Sequence, residues 1–340
     1  MLSGGKTLVC VQPGEFNYIH QPALHNAPDR ALVKIKRVGI CGTDLHAFEG
    51  TQPYFDYPRV LGHELAAEMV SDNIPGFSKG EWVTIIPYHH CGQCVACNAG
   101  KTNCCVSLTV AGVHEDGGMA EYISVPVELL VHGRGLSLDE LALVEPLSIG
   151  LHGIRRASVQ PGEFVLVVGA GPIGLGILAL LRLTGAQPIA LDLVEHRLQF
   201  CREKLGLQHT IHAGGKQVME QLQQITQGDM PTVVIDATGS LGAINNSFRY
   251  LAHGGRYVLV GLQKEAISFS HPDFHKREAT LMSSRNANRD DFETVMTAFA
   301  TKKIDPQLFI THRVEFEALA TSFPGWLDPT AGVIKAMVNC

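Results

Sequence analysis

Four cysteines, Cys91, Cys94, Cys97 and Cys105, fall in one short stretch, with Cys104 beside the last. Four thiolates so close suit tetrahedral zinc and suit an iron–sulfur cluster equally. With no open ligand position, such a group holds a structural metal rather than a reacting one. Cys104 competes for the fourth place. A second chemical signal is Gly169-Ala170-Gly171-Pro172-Ile173-Gly174, which follows the apolar run ending at Val168. The first glycine makes a tight turn, the second lets backbone approach a pyrophosphate, and the third permits close helix–strand packing. Pro172 opens the helix, and the free N–H groups that follow it, from Ile173 on, can hold phosphate oxygens. Asp192 ends the next apolar run. A carboxylate there accepts from both ribose hydroxyls of NAD and repels the extra phosphate of NADP. Arg197 lies nearby and is a weaker pointer to NADP.

A third constellation is scattered. Cys41, Thr43 and His46 offer a thiolate, a hydroxyl and an imidazole, His63 and Glu64 an imidazole and a carboxylate, and Glu145 another carboxylate. Singly each is ordinary: a small core cysteine, a satisfied histidine, a helix-capping glutamate. Joined by the fold, they would make a metal site with acid–base groups beside it.

These residues need elements to hold them. Segments 7–12, 31–38, 66–70, 82–86 and 117–125 read as short strands, with a turn at Asn26, Pro28 and Asp29. Together they suggest a small β-rich, barrel-like domain. After about Ser137 the pattern changes. Residues 138–156 carry Leu141, Val144, Leu147 and Leu151 at helical spacing. Strands at 163–168, 188–193, 232–236 and 255–260 then alternate with helices at 173–183, 195–205, 219–225 and 241–251. That alternation predicts a parallel sheet covered on both faces. A helix at 292–300 and a last strand at 333–338 return to the first domain, which supplies the strand's partner. The predicted domains are 1–145, with a metal lobe at 88–106, then 146–287, then 288–340 as the return. The fold class is α/β.

Composition removes other classes. The 340 residues carry a net charge of −6 and no long Lys/Arg run, unlike a nucleic-acid binder. The loops between the clustered cysteines are too short for a zinc-finger recognition helix. The longest apolar run, 164–183, is interrupted by Gly169, Gly171, Pro172, Gly174 and Gly176, unlike a membrane span. No leader pattern is evident. A soluble cytoplasmic protein is the expectation.

Gly39–His46, Gly62-His63-Glu64, Cys91–Cys105 and Gly169–Gly174 together resemble the zinc-containing medium-chain dehydrogenase superfamily. The resemblance covers nearly the whole chain and is strongest to the polyol, threonine and sugar-acid branch. It implies a GroES-like β-rich catalytic domain and a Rossmann NAD-binding domain. It implies one catalytic and one structural zinc per subunit. Cys41 and His63 would be catalytic ligands, Glu64 a ligand or near-ligand, and Glu145 the carboxylate near the metal. The classical alcohol dehydrogenases have a cysteine near that last place. No cysteine occurs here between Cys105 and Cys201, which favours the polyol-like branch. Thr43 and His46 match a proton relay. Asp44 matches the residue that supports the metal-site histidine. Cys105, rather than Cys104, is in register as the fourth structural ligand. A homodimer or homotetramer is also implied.

The expected reaction moves a hydride between NAD and a secondary alcohol that zinc polarises. Thr51, Gln52, Tyr54, Phe55 and Tyr57 mix rings with hydrogen-bonding groups, which suits a polyhydroxylated ligand and suits simple packing of the rings equally well. Arg285 and Arg289 read first as surface or interdomain cations and second as partners for a substrate carboxylate. An aldonate such as L-galactonate is the expected substrate, with a sugar alcohol, threonine or butanediol as alternatives. A zinc-free reductase or a non-enzymatic NAD-binding protein is the rival reading.

Overall fold

The computed structural model describes all residues except Met1–Ser3, His25, Asn26, Pro28, Tyr54 and Lys216, and gives no side-chain description of Pro329. The turn read at Asn26 and Pro28 and the ring of Tyr54 therefore lie outside the described residues. The chain divides into two compact units, Met1–Pro146 with Asn288–Cys340, and Leu147–Ala287.

The chain opens with β1 (Lys6–Gln12), β2 (Glu15–His20) and β3 (Arg30–Ile40), then α1 (Gly42–Glu49) and β4 (Arg59–Val60). Next come β5 (Glu64–Met69), β6 (Trp82–Ile85), β7 (Tyr88–His89), α2 (Val95–Asn98), β8 (Thr109–Val110), β9 (Tyr122–Pro126) and β10 (Leu130–His132). The apolar register of 7–12 and 31–38 does form strands. Segment 117–125 is extended only from Tyr122, because Gly117 and Gly118 are spent otherwise. A Cβ on Gly117 would stand 2.3 Å from the carbonyl oxygen of Gly62, so this turn packs backbone to backbone behind His63. Helix α1 carries Thr43, Asp44 and His46 and shows no helical apolar period in the sequence. Its caps make it: the Cys41 N–H donates to Asp44 Oδ2 at 2.9 Å, and Gly50 ends it at φ 77°.

Helix α3 (Leu138–Arg156) contains Pro146, which cannot donate a helical bond. The second unit then builds a six-stranded sheet from β11 (Phe164–Val168), β12 (Gln187–Asp192), β13 (His209–His212), β14 (Val233–Asp236), β15 (Arg256–Leu259) and β16 (Thr280–Ser283). Helices α4 (Pro172–Leu181), α5 (Glu195–Glu203), α6 (Val218–Ile225), α7 (Leu241–Ser247) and α8 (His271–His275) connect them. The order is β13-β12-β11-β14-β15-β16 and every pairing is parallel, the doubly wound dinucleotide-binding arrangement. Leu166, Val168, Ile189, Leu191, Ile211, Val234 and Tyr257 form its core. The residues that make β11 and β12 uniformly apolar are those covered on both faces.

After α9 (Arg289–Ala300) come β17 (Ile310–Glu315) and β18 (Lys335–Asn339). They complete the first unit's main sheet, ordered β10-β6-β5-β3-β18-β17, with β9 also on β3. The partner of the last strand is β3, antiparallel, with Gly39 opposite Met337. On its other side β3 pairs with β5, with Gly39 opposite Glu64.

Candidate active site

Cys41 lies between β3 and α1, and His63 immediately before β5, next to Glu64 as its first residue. Gly62 enables that placement: its φ is 93°, and a Cβ there would meet Val38 at 2.9 Å. One donor atom each from Cys41, His63 and Glu64 lies within 4.8 Å of the others. His63 and Glu64 are buried. Asp44 Oδ2 accepts the Cys41 N–H and Asp44 Oδ1 the Gly62 N–H at 3.0 Å, so one buried carboxylate ties the segments of Cys41 and of Gly62 and His63 together. Its Oδ1 is 3.7 Å from His63 Nδ1, an ion-pair contact longer than a hydrogen bond.

Glu145 on α3 is also buried, and the Tyr88 hydroxyl donates to its Oε1. It stands outside the tight Cys41–His63–Glu64 group. Burial, reinforced by the charge of Glu64, pushes the Glu145 carboxyl up to about 7, although His63, Tyr88 and Lys335 pull it down. Burial works against a charged His63, yet Asp44, Cys41 and Glu145 hold its imidazole well above its ordinary value. The site thus concentrates buried acids around one imidazole, and its S, N and O donors suit a zinc ion. A divalent cation would relieve this crowding of negative charge.

Three residues whose roles sequence reasoning did not assign shape this site. Lys335, 4% exposed, places Nζ 2.5 and 2.6 Å from the two oxygens of Glu64 and 3.1 Å from the Ile40 carbonyl. Gly39 makes the room, since a Cβ there would lie 2.1 Å from Glu64 Oε2. Tyr88 is the third. The one available signal was a lysine standing among the apolar residues of the last strand.

Thr43 lies in the first turn of α1, and His46 is exposed, its Nδ1 3.0 Å from Thr51 Oγ1 and 3.5 Å from Glu49. The rings of Phe55 and Tyr57 pack edge to face at 4.8 Å, and the Tyr57 hydroxyl donates to the Ala47 carbonyl. Arg289 donates to the carbonyls of Leu130 and Glu128, so its guanidinium is committed to backbone rather than offered to a substrate carboxylate.

The sulfurs of Cys91, Cys94, Cys97 and Cys105 lie within 4.8 Å of one another, and Cys104 is not among them. The N–H groups of Cys91 and Ser107 donate to Cys105 Sγ at 3.3 and 3.4 Å. Backbone donors at Cys97 and Val106 bring the Cys94 thiol down to about 6. Burial and the bond to Cys94 push Cys97 up to about 12. Four sulfurs fed by backbone N–H groups fit a closed tetrahedral zinc site.

In the second unit, Gly169 has φ 97°, and a Cβ on Gly174 would fall 1.8 Å from the Gly169 carbonyl oxygen. Gly171 is open, with only Arg197 Nη1 at 3.9 Å from its Cβ position. Pro172 starts α4, with Ile173 next, so the loop and first helical turn present bare backbone of the kind a pyrophosphate needs. Asp192 ends β12 and its carboxylate accepts the N–H groups of Ala170 at 2.6 Å and Val194 at 2.8 Å. Each oxygen keeps a further lone pair for a ribose hydroxyl. Arg197 Nη1 lies 3.8 Å from Asp192. This cradle fits NAD.

Residues 27–134 match the alcohol dehydrogenase GroES-like domain and residues 172–301 match the zinc-binding dehydrogenase model. The chain is 44% identical over 340 residues to the L-galactonate-5-dehydrogenase of Escherichia coli strain K12, covering 99% of this chain and 100% of that protein. It is 30% identical to a sorbitol dehydrogenase of Halalkalibacterium halodurans, covering 90% and 92%. Among solved structures, it superimposes on an alcohol dehydrogenase, RspB, from Escherichia coli CFT073 in complex with NADH. That match has a TM-score of 0.91 and 28% identity, and covers 100% of both chains.

Proposed function

The chain belongs to the zinc-binding dehydrogenases with a GroES-like domain, and from that premise we propose that its substrate is the secondary alcohol of a sugar acid, an aldonate such as L-galactonate. It is an NAD-dependent oxidoreductase with one catalytic and one structural zinc site. The full-length identity to L-galactonate-5-dehydrogenase carries the choice of substrate.

When bound, zinc would supply Lewis acidity at the substrate hydroxyl and NAD would supply the hydride-accepting ring. The protein's own groups do the rest. Cys41 and His63 would hold the metal, with Glu64 as a ligand or near-ligand, and Asp44 fixes the two segments that bear them. Thr43 would take the hydroxyl proton as its own passes to the ribose hydroxyls of NAD and on towards His46. His46, exposed and in contact with Thr51, passes it to solvent. Glu145, buried and oriented by Tyr88, sets the negative charge beside the metal. Cys91, Cys94, Cys97 and Cys105 hold the structural zinc. Gly169, Gly171, Pro172, Ile173, Gly174 and Asp192 bind NAD, with Arg197 beside the ribose.

Two further readings belong with this one. The family resemblance supports a homodimer or homotetramer. The cysteines, all free, fit a reducing compartment such as the cytoplasm. No helix among the described residues is long and apolar enough to cross a membrane.

The test is an NADH absorbance screen of L-galactonate, other aldonates, hexitols, threonine and butanediol, on protein of measured zinc content. An aldonate should give the highest kcat/KM. A hexitol, threonine or butanediol ahead of every aldonate would reverse the substrate reading.

A further inference from the structure

We infer that Asp236, a buried acid of the second unit, is a positioning residue for NAD: it folds the loop after β14 so that Thr238 braces the Gly169 turn before the cofactor arrives. This rests on the reading that the Gly169–Gly174 loop holds the pyrophosphate.

Asp236 is fully buried at the end of β14 and pairs in register with Val168, the residue before Gly169. Its carboxylate is met by donors of its own loop. Oδ1 accepts the Thr238 hydroxyl at 2.6 Å, and Oδ2 accepts the Gly239 N–H at 3.1 Å. The Thr238 oxygen in turn accepts the N–H of Ser240, the residue that precedes α7, at 3.0 Å. One side chain thus templates four residues of backbone, as aspartates do in tight turns.

That loop packs on the cofactor turn. A Cβ on Gly169 would lie 2.7 Å from Thr238 Cγ2, so the methyl group of Thr238 stands directly against the turn. Gly174 closes the other side, against the Gly169 carbonyl oxygen. The Ala237 N–H donates to the Val168 carbonyl at 2.9 Å, which ties the start of the loop to β11. The next connection comes equally close: a Cβ on Gly261 would fall 2.2 Å from the Gly239 nitrogen and 3.0 Å from Asp236 Oδ2. The turn that must approach a pyrophosphate is therefore gripped between α4 and a loop whose shape one carboxylate sets.

The carboxylate and the loop support each other. Burial raises the Asp236 carboxyl from its ordinary value, and the bonds from Thr238 and Gly239 oppose that rise. An asparagine has one acceptor oxygen where two are used here, so it would release one donor of the loop. A loop that is no longer held must be ordered by the ligand, and that ordering is subtracted from affinity.

The experiment titrates the full-length, zinc-loaded protein with NAD and with ADP-ribose, which keeps the pyrophosphate and lacks the nicotinamide. Asp236→Asn and Thr238→Val should each weaken both ligands by about tenfold. The double variant should bind no more weakly than either single one, because both substitutions break the same bond. KM for NAD should rise by that factor, and kcat at saturating NAD should fall far less. Thr238 is exposed, so Thr238→Val keeps the inference testable if Asp236→Asn folds poorly. A lower Tm with ADP-ribose affinity unchanged would leave Asp236 as support for the fold alone and overturn the inference. Losses that multiply in the double variant would overturn the route through Thr238. A parent protein that binds neither ligand would instead defeat the reading of the glycine loop beneath it.

Discussion

The hydroxyl of Tyr88 donates to Oε1 of Glu145, and both side chains are buried. The phenol comes from β7, just before the cysteine lobe, and the carboxylate from the middle of α3. Phe292 stacks edge-on against the Tyr88 ring at 6.5 Å, so the donor itself has little freedom. Tyr88→Phe keeps the ring and removes only the donor. The buried carboxylate then loses a charge-assisted bond, a cost of about 1–3 kcal/mol. The expected result is a lower Tm, zinc content unchanged, and kcat reduced about tenfold or more as Glu145 loses its orientation. Unaltered kcat would show that Glu145 needs no orienting by the phenol.

The two metal groups should fail differently. Cys41→Ser should remove turnover and one metal per chain while leaving Tm near the parent value, because α1 keeps its Asp44 and Gly50 caps. Cys94→Ser should remove the other metal and lower Tm, since closed zinc sites contribute directly to folding. Elemental analysis with thermal melts reads both. Equal loss of Tm in the two variants would contradict this division of labour.

Gly174 faces backbone, not a movable side chain. Gly174→Ala would force a methyl into the Gly169 carbonyl. Destabilisation of about 3 kcal/mol and a weakening of NAD binding by about tenfold or more are expected. Gly242→Ala in the same unit is the control. It lies in α7 with nothing within 4 Å of its Cβ position, and should gain about 0.5–1 kcal/mol from helix propensity. Denaturant unfolding and NAD titration by fluorescence would show both effects. A Gly174→Ala protein that binds NAD normally would remove the close-packing argument.

Asp139, in the first turn of α3, accepts from Arg313 Nη1 at 3.1 Å and Arg37 Nε at 3.2 Å. Burial alone would raise its pKa, but the bonds and charges of Arg313 and Arg37 outweigh it and hold it below the ordinary 3.8. A depressed carboxyl stabilises the fold above its unfolded value and loses that contribution as pH falls through its folded value. Asp139→Asn should therefore cost about 1 kcal/mol at neutral pH. The gap to the parent protein should close as pH drops below about 3.8. A gap equally large at pH 7 and at the acid end would mean the residue acts by shape rather than charge.

Much of the molecule was legible along the chain because its determinants are local. The cysteine lobe and the glycine turn each occupy one short stretch, and their chemistry follows from spacing within it. The strands and helices of the second unit show as plain alternations of apolar runs, since a parallel sheet buries both faces. Helix α1 was not legible, because it is held by an Asp44 cap and a left-handed Gly50 rather than by an apolar stripe. Nor was the committed role of Arg289, which only the fold reveals through carbonyls far away in the sequence.

The sequence by itself determined which donors exist: thiolate, imidazole and carboxylates for zinc, and a bare backbone loop for a dinucleotide. Only tertiary structure decided which cation a buried carboxylate meets. Glu64 and Lys335 are 271 residues apart, and no local pattern links them. They meet because β5 and β18 flank the same strand and Gly39 leaves a gap between them. In a buried site the strongest charge partner is set by sheet register, not by distance along the chain.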